Sequence, residues 1–291
     1  ICIFRKCFPL FRNKKRGRGS CWSELMQGEG KMGILQYTFY SENLREQTTV
    51  HMILPAFERD RGYGNAETYY HSYTPKKTVY VLHGGSDDST LYLRRTRIEE
   101  YAVERDIAVV FPQVRNSFYC NMHRGKQYFS YLSEELPDTL EQVFRLSTDW
   151  RDRYVLGNSM GSHGAFKWAL NRPDFFAAAA GMSGVGDVEE LGFFEREDPR
   201  VFEAFGTSED FRNSQNDFHY LIDKLLASKE RMPRFYSCCG LQDPYLEGNR
   251  KFILEAEKKG FPIRFEVGTG GHEWSFWNKW LPIMLDHMLL G

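Results

Sequence analysis

From residue 78 onward the chain repeats one unit: a short apolar run, a loop, then a longer stretch with helical spacing. The apolar runs fall at 78–82, 107–111, 153–156, 234–239 and 263–267, and the helical stretches at 97–105, 131–144, 160–170, 245–259 and 276–290. Runs so short and largely apolar read as buried strands. Strands linked through helices lie parallel, with the helices covering both faces of the sheet. Two earlier segments, 34–40 and 48–55, alternate in character and carry β-formers, which predicts an antiparallel start. The expected class is α/β: a mostly parallel central sheet with helices on both faces and an antiparallel N-terminal start. Pro137 lies inside the second helical stretch and predicts a kink or a split there.

The chain has 291 residues and a formal net charge of −1, so its total charge points to neither nucleic acid nor an anionic membrane. The charge is uneven. Residues 1–31 contain Arg5, Lys6, Arg12, Lys14, Lys15, Arg16, Arg18 and Lys31 against Glu24 and Glu29, which leaves the rest acidic. Arg5, Lys6 and Arg12 break the apolar run that a signal peptide would need. Strand-like sequence follows Met32 directly. Residues 1–31 are therefore expected to be a non-native or disordered N-terminal extension, and residues 32–291 a single catalytic domain. Within it, 185–229 is less regular, rich in Phe, Asp and Glu, and is expected to be a helical insertion or rim. Three of the six cysteines (Cys2, Cys7 and Cys21) lie in the extension, and the others are Cys120 and the neighbours Cys238 and Cys239. No zinc-type spacing occurs among them, and the pattern suits a reduced, cytoplasmic chain. No apolar stretch approaches the roughly 20 residues that span a bilayer. No cofactor, metal, nucleic-acid or membrane partner is expected, and self-association into a homo-oligomer is left open.

The sharpest motif is Gly157-Asn158-Ser159-Met160-Gly161, which fits G-x-S-x-G. It follows the apolar Tyr154-Val155-Leu156 and precedes helix-forming residues 165–170, the strand–turn–helix context of a nucleophile elbow in an α/β-hydrolase. A serine hydroxyl is a poor nucleophile until a base takes its proton and an acid orients that base. In this fold the chain order is Ser, then Asp or Glu, then His. Of the later histidines, His287 sits in an amphipathic terminal helix, His219 in the irregular insertion and His163 inside the elbow helix. His272 lies in Gly270-Gly271-His272-Glu273-Trp274, after a strand and before the last helix, and is the expected base. Gly240-Leu241-Gln242-Asp243-Pro244 occupies the corresponding loop of the preceding strand, so Asp243 is the expected acid, with Asp187 as the alternative. The developing oxyanion needs two fixed N–H donors, expected from Met160 and from Gly85 in His83-Gly84-Gly85, with Gly84 as the alternative to Gly85. His83 is expected to brace that loop. Among the aromatics of these loops (Phe118, Tyr119, Tyr245, Trp274, Phe276 and Trp277), Tyr119 and Trp274 are the expected substrate-binding residues.

His83-Gly84-Gly85, the elbow, Cys239-Gly240-Leu241-Gln242-Asp243 and Gly271-His272-Glu273-Trp274 together resemble the tributyrin-esterase branch of the esterase D family, over most of residues 33–291. The sequence departs from that pattern at Gly157-Asn158 and at Ser162-His163, neither of them an expected triad position. The resemblance implies a metal-free serine carboxylesterase acting on short acyl esters, acetyl to butyryl, with aryl or feruloyl esters of plant polysaccharides as relatives' substrates. Two other readings stand beside it: an S-formylglutathione hydrolase-like thioesterase or acyltransferase on the same scaffold, and a non-catalytic binding protein.

Overall fold

The computed structural model describes residues 32–55, 74–184, 188, 189, 191–196, 198–228 and 230–290. The expected N-terminal extension, much of the loop after residue 55, and Asp187 lie outside them.

Eight strands form one sheet: β1 (Met32–Ser41), β2 (Glu46–Pro55), β3 (Thr78–Leu82), β4 (Ala108–Pro112), β5 (Arg153–Asn158), β6 (Ala178–Met182), β7 (Arg234–Gly240) and β8 (Ile263–Gly268). Their order is β1-β2-β4-β3-β5-β6-β7-β8. The first two pair antiparallel, β2 meets β4 antiparallel, and every later pairing is parallel. Strands β3 to β6 are buried at every position, which is why their sequences carry no alternation. On β1 half-buried and exposed residues alternate, as one covered face requires.

The helices are α1 (Leu91–Arg95), α2 (Ile98–Arg105), α3 (Leu136–Phe144), α4 (Met160–Asn171), α5 (Pro199–Phe205), α6 (Ser208–Phe211), α7 (Phe218–Ser228), α8 (Leu246–Lys258) and α9 (Trp274–Leu290). They divide between the faces. One core joins the sheet to α3, α4, α7 and α8 through Leu140, Phe166, Trp168, Leu221 and Phe252. The other joins it to α1, α2 and α9 through Tyr92, Ala102, Trp280 and Met284. A third, smaller cluster of Val188, Val201, Phe205 and Phe211 packs with Cys120, so part of the irregular stretch does fold into short helices with a core of their own. The α/β-hydrolase architecture expected from the motifs is the one observed.

One strand lies outside those expected. Strand β6, Ala178-Ala179-Ala180-Gly181-Met182, has none of the β-branched residues by which strands are recognised. It lies with α4 over one face and α9 over the other, where small side chains let both helices come close. The split expected in 131–144 is present: a π-helical turn over Tyr131–Glu135 leads into α3. Pro137 has no N–H for the Ser133 carbonyl one turn back, and that carbonyl accepts instead from Arg172 Nη1 at 3.4 Å. At the same place the Glu135 carboxylate accepts from Ser41 Oγ and the Glu42 N–H, both at 2.7 Å, and so ties the β1–β2 turn to α3.

Candidate active site

The loops after β3, β5, β7 and β8 leave the same edge of the sheet, and each brings one expected residue. Ser159 follows β5 with φ 53°, a left-handed conformation strained for a residue with a side chain. The strain is imposed from both sides. The Ser159 N–H donates to the Met182 carbonyl at 2.8 Å, while its own carbonyl accepts from Ser162 and His163 in the first turn of α4. The turn is so tight that a Cβ on Gly157 would stand 2.3 Å from the Gly161 carbonyl oxygen. Only glycine permits that approach.

His272 leaves the loop after β8 with its Nε2 2.9 Å from Ser159 Oγ. Its Nδ1 is 3.0 Å from Asp243 Oδ2 and 3.3 Å from Oδ1. The carboxylate can only accept, so Nδ1 carries the proton and Nε2 faces the serine hydroxyl as acceptor. Burial alone would raise the Asp243 carboxyl, but hydrogen bonds from His272 and from the Tyr245 N–H at 3.0 Å outweigh it and hold it below the usual range. The imidazole is gripped edge-to-face by Tyr245 and Trp277, each with its ring centroid 5.0 Å away. The other histidines are placed elsewhere. His287 meets Glu266 at 3.0 Å and stacks on Tyr236, and His219 lies by Glu255.

Met160 is the first residue of α4, so its N–H has no carbonyl one turn back to satisfy it. Gly85 is exposed beside Ser159 and Met160, whereas Gly84 is buried. Three side chains brace that loop. His83 accepts from the Val114 N–H on Nε2 and donates from Nδ1 to the Gly84 carbonyl, Gln113 accepts from the Ser89 N–H, and Asn116 accepts from the Ser86 N–H. Burial lowers the His83 pKa, so the ring stays neutral in this bracing role.

Two recesses open on either side of Ser159. One, of about 240 Å³, is lined by Phe118, Met160, His163, Leu191, Phe193 and Tyr245 among others. The second, of about 370 Å³, is lined by Asp87, Asn158, His272, Glu273, Trp274 and Trp277 among others. Trp274 is therefore at the site. Tyr119 is not: its ring is fully buried against Gly164, and its hydroxyl donates to the His83 carbonyl at 2.8 Å, so it supports the loop from behind. Phe276 is likewise core. Asp87, Asn158 and Leu191 were not assigned to the pocket from the sequence; Asn158 was noted there only as part of the elbow motif.

A family model described as "Putative esterase" matches residues 55–288. A curated relative, an acetyl esterase of Caldicellulosiruptor saccharolyticus, is 27% identical over 265 residues, covering 88% of this chain and 98% of the relative. Among solved structures, the fluorophosphonate-binding serine hydrolase FphF of Staphylococcus aureus superposes with a TM-score of 0.81 at 32% identity, covering 89% of this chain and 99% of that one. The S-formylglutathione hydrolase FrmB of the same organism does so with a TM-score of 0.78, also at 32% identity, with the same coverage of both chains.

Proposed function

The chain belongs to the putative esterase family, and from that premise we propose that it is a serine carboxylesterase of the tributyrin-esterase branch, cleaving short acyl esters through an acyl-enzyme. The observation that carries this reading is the continuous relay Ser159–His272–Asp243, with Met160 opening α4 and Gly85 exposed beside it. Ser159 Oγ attacks the ester carbonyl while His272 Nε2 takes its proton. Asp243, held ionised, keeps the imidazole in its tautomer and offsets the positive charge that forms on it. The N–H groups of Met160 and Gly85 receive the oxyanion. His272 then gives its proton to the leaving oxygen, the alcohol departs, and water attacks the acyl-enzyme with His272 again as base. No step calls for a metal or cofactor.

The smaller recess, with Phe118, Leu191, Phe193 and Tyr245 on its walls, suits the acyl group. A second reading, S-formylglutathione hydrolysis, is favoured by the likeness to the Staphylococcus aureus enzyme of that name. Comparing turnover of p-nitrophenyl acetate with that of S-formylglutathione decides between them. Labelling by a fluorophosphonate probe, abolished in Ser159→Ala, tests the nucleophile itself.

A further inference from the structure

We propose that the recess beneath His272 receives the leaving alcohol, and that Asp87, Glu273 and Asn158 select there for alcohols that bring hydroxyl donors or positive charge and against anionic ones. The proposal rests on the esterase reading above and deepens it.

The assignment of the recess follows from proton delivery. The leaving oxygen must be within reach of His272 Nε2 when the acyl–oxygen bond breaks. His272 lines this recess, whereas the described lining of the other includes Met160 and His163 but not His272. The alcohol therefore leaves past Trp274 while the acyl group stays on the Met160 side.

The chemistry of the walls sets the selectivity. Among the described residues Asp87 and Glu273 line the recess and no Lys or Arg does. Asp87 forms no ion pair among the described residues; Arg94 and Arg95 of α1 act on it without lining the recess, and Arg94 is engaged by Asp88. Burial raises the Asp87 carboxyl, and the Gly84 N–H bonded to it offsets only part of that rise. Independently, Asn158 lines the recess and is fully buried, and among the described residues neither atom of its side-chain amide has a hydrogen-bond partner. A buried amide left unsatisfied is costly, and an arriving hydroxyl would relieve it. Trp274 supplies an apolar wall for the carbon skeleton. An anionic leaving group would instead be desolvated against two like charges. Glutathione, which carries two carboxylates, is such a group.

The test holds the acyl group constant and varies the alcohol: ethyl acetate, glyceryl monoacetate, acetylcholine and acetoxyacetate, each kcat/KM divided by the ester's rate with hydroxide. Glyceryl monoacetate, acetylcholine or both should exceed ethyl acetate, and acetoxyacetate should fall below it by about tenfold at low salt, a gap that narrows as salt screens the carboxylates. The larger of the two increases tells a polyol from a cationic alcohol as the preferred class. In the double variant Asp87→Asn, Glu273→Gln the acetoxyacetate-to-ethyl acetate ratio should rise. Damage to the loop alone would lower all four esters together and leave that ratio fixed. Acetoxyacetate turned over as well as ethyl acetate, or a ratio unchanged in the double variant, overturns the proposal. Absence of turnover with all four removes the esterase reading and this proposal with it.

Discussion

Gly161 faces the carbonyl of Leu82 so closely that a Cβ placed on it would stand 2.0 Å from that oxygen. The first turn of α4 is thereby seated on the end of β3, and the elbow is locked between two strands. Gly161→Ala must push the helix off the sheet. We expect a stability loss at or above the upper end of the ~1–3 kcal/mol typical of overpacking, read from urea unfolding, and activity should fall with it. A variant as stable and as active as the parent would refute the packing argument.

Ser159→Ala and His272→Ala should each lower kcat by roughly 10³-fold or more with the far-ultraviolet spectrum preserved, and the double variant should be little worse than either, because the two act as a unit. Asp243→Asn should also lower kcat strongly, since the amide cannot replace the buried carboxylate that sets the imidazole tautomer. Near-normal activity in Asp243→Asn together with loss in Asp187→Asn would move the acid to Asp187.

His163 gives a pH signature in stability. Burial, then the charge of Lys167, push its pKa down from 6.5 to about 3 in the folded chain. The ring stacks on Phe218 at 4.6 Å, and neither nitrogen has a partner. The unfolded chain binds a proton that the folded chain refuses, so this residue's contribution is complete above pH 6.5 and is lost as pH falls from there toward 3. Between pH 7 and pH 5 the parent should lose about 2 kcal/mol more than His163→Phe does. Denaturant unfolding at the two pH values measures this, and parallel losses in both proteins would disprove it.

The acyl preference should be short. A recess of about 240 Å³ is smaller than the ~300–1,000 Å³ of sites for drug-sized ligands. Each methylene that fits adds up to about 0.8 kcal/mol, while each that must displace packed rings costs about 1–3 kcal/mol. Across p-nitrophenyl esters from acetate to palmitate, kcat/KM should peak between acetyl and butyryl and drop steeply by octanoyl. A maximum at decanoyl or beyond would show that the aromatic walls open.

Most of the sheet was legible because β3, β4, β5 and β7 are largely apolar runs bounded by loops, and because the elbow glycines carry a steric requirement that no other residue meets. Strand β8, expected to be buried like them, carries Arg264 and Glu266 and is fully buried at Ile263 alone. Strand β6 escaped because its alanines answer to the spacing of α4 and α9, a constraint set by distant parts of the chain. Ser159, Asp243 and His272 could be read from their places after β5, β7 and β8. The pocket walls could be read only in part: Trp274 lines a recess as expected, and Tyr119 does not. Phe118 and Tyr119 are adjacent, and both have positive φ, yet one lines a recess and the other is sealed under the loop by Gly164 and His83. Which way a loop aromatic turns depends on backbone angles that its sequence does not announce. For Asp87 and Asn158, the signal available was proximity to the motifs, and that alone does not separate a wall residue from a bystander.

The four loops that meet at Ser159 hang from β3, β5, β7 and β8, whose parallel pairings all join segments far apart in the chain. Ser159 and His272 are 113 positions apart. Contacts of such long range form late and together in folding. No fragment that lacks β8 can carry the relay, and a partly assembled sheet has a strained elbow with nothing to accept its proton. Regain of turnover after dilution from denaturant is therefore a clock for the final closure of the sheet, and it should lag behind the return of helical signal.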